Sequence, residues 1–132
     1  MKKIFLLIFI LFSIFTYSKG YIEEISTPKP IKNSDKTVFI TGFPVDFETT
    51  IEGLLEEELG WKVAIAKSNR EDAFAIEAFD IRYKDFRGYS GVVRFTDLRT
   101  GKRIGYYEFS SEKFDVIITN ILNYIDYISE IR

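Results

Sequence analysis

The sequence predicts an α/β two-layer sandwich: a mixed five-stranded sheet in the element order β-α-β-β-β-α, with two helices packed on one face. Three observations predict it. Two segments carry apolar residues at helical spacing along a single stripe, so each needs one flat apolar surface to cover, which a sheet supplies. Around and between them lie runs that alternate or that are continuously β-branched and aromatic. A tight turn at Arg99-Thr100-Gly101-Lys102 makes two of those runs antiparallel neighbours, because Gly101 supplies the positive φ that short hairpin loops require.

The first strand is expected over Thr37 to Phe43, a β-branched and aromatic run closed by Gly42 and Pro44. Asp46 then stands where a helix N-cap belongs, and Phe47, Ile51, Leu54, Leu55 and Leu59 form one stripe ended by Gly60. Glu48, Glu56 and Glu57 face outward. The run Glu56-Glu57-Glu58 reads as a solvated face and not a cation site, since three consecutive residues point in three directions around a helix. Trp61 to Ala66 reads as the second strand and residues 67–72 as a polar loop. A long third strand runs from Phe74 to about Tyr83, a turn follows at Lys84 to Gly88, and Tyr89 to Leu98 is the fourth strand. Arg103 to Phe109 is the fifth. The last helix opens at Ser110 or Ser111 as cap, and Phe114, Ile117, Ile118, Ile121, Ile125 and Ile128 make its stripe. Val116, Tyr124 and Tyr127 add a second row. Strands one and two, joined through a helix, are expected to run parallel by a right-handed crossover, and strands three to five to form an antiparallel meander.

Ahead of this domain, Lys2 and Lys3 precede a largely apolar, uncharged run from Ile4 to Tyr17, followed by Ser18, Lys19 and Gly20. That is the layout of a secretory signal peptide, residues 1–20, with cleavage after Ser18 or Gly20. Fourteen residues, Ser13 and Thr16 among them, fall short of the roughly 20 that a membrane span needs; an uncleaved signal would nevertheless act as an inner-membrane tether. Residues 21–36, with Pro28 and Pro30 and no apolar period, read as a linker or flexible arm. Residues 37–132 make a single globular domain.

Composition narrows the chemistry. The formal charge of −2 falls to −5 when residues 1–20 leave with Lys2, Lys3 and Lys19, so the exported domain is no electrostatic match for nucleic acid. Without cysteine there is no disulfide, thiolate nucleophile or acylated cysteine; without histidine there is no Ser-His-Asp, Cys-His or His-metal chemistry. No cofactor, metal or catalytic motif is expected. Carboxylates remain, and Glu77 and Asp80 on the third strand or Glu108 on the fifth are the acids that an enzyme would use; Asp80 equally suits an ion pair with Arg82 or Arg94. Thirteen Phe, eight Tyr and one Trp supply a dense core, and would also suit a small apolar ligand held between helix and sheet.

The stretch from Val92 to Phe109, VVRFTDLRTGKRIGYYEF, resembles a signature of bacterial envelope domains related to the curli-secretion protein family and the TolB N-terminal domain. In those domains a strand ends in an aspartate and Thr-Gly turn, and the next strand leads into a helix packed on the sheet. The element order of residues 37–128 agrees. The resemblance implies a largely non-enzymatic module that works by protein contact in envelope assembly or secretion. The chain departs from that family in lacking an acylated cysteine, a propeller and pore-forming insertions. The reading is therefore an exported domain, periplasmic or secreted, whose partner is another envelope protein or a second copy, with membrane contact only through an uncleaved signal. Tyr83, Tyr89, Tyr106 and Tyr107 are the candidate interaction surface, because tyrosine carries contact area at low entropic cost.

Overall fold

A computed structural model describes residues 22–64 and 72–131. The signal segment, residues 67–71 of the polar loop, and Ile65 and Ala66 of the expected second strand lie outside the described residues.

Among the described residues, six strands and two α-helices form the domain, one strand more than the sequence predicts. In chain order they are β1 (Glu23–Glu24), β2 (Thr37–Thr41), α1 (Val45–Leu54), β3 (Lys62–Ala64), β4 (Phe74–Asp85), β5 (Gly88–Asp97), β6 (Lys102–Glu112) and α2 (Phe114–Ser129). The sheet order is β1-β6-β5-β4-β2-β3. As expected, β2 and β3 pair in parallel through α1, and β4, β5 and β6 form an antiparallel meander. A second parallel pairing, β2 with β4, joins the two halves.

The additional strand comes from the arm. Glu23 and Glu24 pair with Tyr106 and Gly105, and the Ile25 N–H donates to the Ile104 carbonyl at 2.8 Å. Nothing in a Glu-Glu dipeptide favours a strand. The pairing exists because β6 offers free edge groups there.

Alternation along the strands decides what is buried. Val38 and Ile40 of β2, Phe74, Ile76 and Ala78 of β4, and Val93 and Phe95 of β5 point to one face, where both helices cover them. α1 contributes Phe47 and Ile51 and continues as one wide π-helical turn over Leu55–Leu59, which keeps Leu55 and Leu59 in the core. Gly60 then ends it in the left-handed region at φ 73°. Helix meets helix where the Phe47 and Phe114 rings lie 4.6 Å apart, edge on. The stripe of α2 is buried as its period predicts, from Ile117 through Ile128, with Phe114 half-buried.

Both expected caps move. Pro44, not Asp46, precedes α1, and Asp46 sits in its first turn, where a carboxylate favours the helix dipole. Ser110 and Ser111 belong to β6, which runs on to pair Glu112 with Tyr89, so Lys113 takes the N-cap position of α2.

The two inner tyrosines are set in this core. Tyr107 accepts a hydrogen bond from the Asn120 amide at 2.9 Å, and the Tyr124 hydroxyl donates to the Ile104 carbonyl at 3.0 Å. Gly105 makes room for the second contact, since a side chain there would meet the Tyr124 ring at 2.9 Å. Burial pushes both phenols above their ordinary range. The folded state therefore keeps protons that the unfolded chain releases above about pH 10, so stability is full below that pH and falls as it rises. Denaturant titrations from pH 9 to 12 will show this decline, and Tyr107→Phe will remove about 1.4 kcal/mol per pH unit of its slope.

Candidate functional site

The face of the sheet turned away from the helices carries polar and aromatic side chains in cross-strand rows. In one row Thr41, Glu77, Arg94 and Tyr106 stand opposite one another on β2, β4, β5 and β6, and Glu23 of β1 follows. In the next, Phe79 faces Val92, which faces Glu108. Arg94 does not reach across to Glu77. Its guanidinium lies over the Phe79 ring, 4.6 Å from the centroid, and its Nε is buried without a hydrogen-bond partner. Among the described residues Glu77 forms no ion pair, and Phe79 is 40% exposed.

Above these rows the sheet is irregular. β4 shifts register between Phe79 and Arg82, with Asp80 at φ 54°, and β6 shifts against β5 between Tyr89 and Gly91, with Ser111 at φ 54°. Two bulges facing each other open a shallow groove of about 360 Å³ lined by Asp80, Arg82, Lys84, Ser90, Val92 and Glu108. The groove lies on the open face and not between helix and sheet, the place that would suit a small apolar ligand. It brings together two of the three candidate acids, Asp80 and Glu108, while Glu77 is a row away. Asp80 pairs with Arg82 at 3.7 Å, both side chains more than 70% exposed, so this is a solvated surface pair of little energetic weight.

The four tyrosines do not share a face. Adjacent residues of a strand point to opposite sides, so Tyr106 lies on the open face while Tyr107 is fully buried under α2 and belongs to the core. Tyr83 and Tyr89 do meet, with rings 5.2 Å apart at the end of the β4–β5 hairpin, and Tyr89 carries the contact inward to Phe47 at 4.9 Å. Beside them the hairpin turn presents Phe86, 87% exposed, which was not among the expected surface residues. Its signal in the sequence is a phenylalanine set between Asp85 and Arg87 in a turn. On α2, Tyr124 is buried and Tyr127 half exposed, its hydroxyl donating to Glu24 at 3.4 Å.

At the opposite end of β5, the turn that carries the sequence signature is an anchor. Arg99 donates to both carboxylate oxygens of Asp97 at 3.0 Å, to Asp35 at 3.2 Å, and to the Pro30 and Lys29 carbonyls at 3.1 and 2.9 Å. Its guanidinium lies 5.0 Å from the Phe74 ring centroid. Aspartate and arginine here fasten the arm to the sheet.

Solved structures share this architecture. The PelC dodecamer from Paraburkholderia phytofirmans matches in two crystal forms, one of them of a point variant, with TM-scores of 0.51 and 0.50 at 15% identity. Each match covers 86% of this chain and 99% of the PelC chain. The likeness is one of fold. No protein-family model matches the sequence, and no curated protein does. Among the described residues no group of three or more acids is placed to hold a metal ion.

Proposed function

We propose that this chain is an exported, non-catalytic envelope domain that works by assembling with copies of itself or by contact with another envelope protein. The observation that carries the reading is that its fold is shared, over 86% of this chain, with a subunit crystallised as a dodecamer. An uncovered sheet face bearing Phe79, Arg94 and Tyr106 and an aromatic hairpin end bearing Tyr83 and Phe86 give it surface to assemble with. The residue types support the non-catalytic part, since neither histidine nor cysteine is present and the two acids lining the groove, Asp80 and Glu108, are exposed to solvent. The apolar run after Lys2 and Lys3 supports export, and the likeness of residues 92–109 to curli-secretion and TolB N-terminal domains supports an assembly role.

Light scattering on the purified protein, run with a pull-down from envelope extract, tests this. The expected result is a defined oligomer or a co-purifying envelope protein. A monomer that captures nothing would overturn it.

A further inference from the structure

We propose that the open face of the sheet is a self-complementary interface, joining two copies of this chain face to face about a two-fold axis. The axis lies in the interface, parallel to the strands, between β4 and β5. This rests on the assembly reading and names the surface through which it acts.

The argument begins with Glu77 and Arg94. They stand directly opposite on neighbouring strands, the arrangement in which a cross-strand ion pair forms most readily. No such pair forms. Arg94 lies on Phe79, its Nε is buried without an acceptor, and its guanidinium is left without a carboxylate among the described residues. Charge within the chain is left unmatched on a face that neither helix covers.

A two-fold axis so placed puts β4 of one copy over β5 of the other at the same height. The carboxylate of Glu77 then meets Arg94 of the partner subunit, and Arg94 meets Glu77 of the partner subunit, so one pair of residues is used twice. The same operation sets Phe79 against Val92 of the partner subunit, apolar on apolar, and Thr41 against Tyr106 of the partner subunit, hydroxyl beside hydroxyl. Sheets packed face to face lie about 10 Å apart, within the combined reach of glutamate and arginine. The reason this surface suits a second copy is that its rows are complementary to themselves. A row reading Glu-Glu or Arg-Arg across β4 and β5 would repel its own image.

Charge reversal tests the interface. Glu77→Arg and Arg94→Glu, each alone, are expected to weaken self-association at least about tenfold by sedimentation or light scattering, because each sets like charges together twice. The double variant Glu77→Arg/Arg94→Glu restores the alternation and is expected to return to within about threefold of the parent. Thermal melts of every variant check folding, and Phe79→Ser, which keeps the charges, is expected to fold and to lose association. An oligomer unmoved by the single reversals would overturn this interface while leaving the assembly reading intact. Single variants that dissociate without rescue in the double variant would overturn the Glu77–Arg94 pairing. A parent chain that is monomeric throughout would overturn the interface, and a captured envelope protein in that case would still uphold the proposed function.

Discussion

Replacing Arg99 with alanine will destabilise the domain by roughly 3–5 kcal/mol, a large part of the 5–15 kcal/mol that holds an ordinary domain together. The size follows from what is left behind. The Asp97 side chain is 1% exposed and would lose both guanidinium bonds, keeping the backbone N–H of residue 99 at 2.9 Å. A buried carboxylate without its cation is the expensive product of breaking such a pair. The same deletion frees the Lys29 and Pro30 carbonyls and Asp35, so the arm loses its fastening to the β5–β6 turn. Urea melts should show the loss of stability, and limited proteolysis should show faster cleavage between residues 25 and 36. Arg99→Lys will rescue little, because an ammonium cannot serve five acceptors with a planar fork. An Arg99→Ala protein as stable as the parent, with an equally protected arm, would remove the anchor from this account.

Gly42→Ala is the second large loss, about 3 kcal/mol or more, and Gly53→Ala is its internal control. Gly42 turns the chain from β2 toward α1 at φ 88°, a region that costs a side chain about 1–2 kcal/mol. A Cβ there would also overlap the Ala78 carbonyl of β4, which cannot yield without disturbing the β4 ladder. Gly53 lies within α1 with nothing near the place of its Cβ, so alanine should stabilise the helix by about 0.5–1 kcal/mol. Melting temperatures of the two variants, measured side by side, should move in opposite directions. Equal shifts would mean that the approach of the Gly42 turn to β4 has been misjudged.

Much of this architecture was readable from spacing. α2 announces itself because 16 residues of apolar stripe leave one solution, and β4, β5 and β6 do so because alternation and a Thr-Gly turn agree about their register. Boundaries were less readable, for reasons that lie outside each segment. Ser110 and Ser111 have the chemistry of helix caps, yet the long β4–β5 hairpin gives β6 a partner as far as Glu112 and carries both serines into the sheet. The π-helical turn at Leu55–Leu59 has no local signature. Leu55 and Leu59 stay buried through it, as their i, i+4 spacing already requires.

The candidate surface divides in the same way. Strand alternation alone separates Tyr106 from Tyr107, so grouping them on one face contradicts the period that predicted their strand. Tyr83 and Tyr89 meet because hairpin pairing sets them opposite, a register the turn residues foreshadow. The failure of Glu77 and Arg94 to pair was invisible, because it depends on a ring two positions along the neighbouring strand capturing the guanidinium first.

By itself the sequence determined the two-layer class, the order of the long elements, the helix-covered core and the absence of cysteine and histidine chemistry. These follow from periodicity and composition, which act within a segment. Tertiary structure alone decided the sixth strand, the anchor at Arg99 and the unmatched row across the open face. Each of these depends on groups brought together from distant parts of the chain: Glu24 meets Gly105, Asp35 meets Arg99, and Glu77 faces Arg94 only once the sheet has formed.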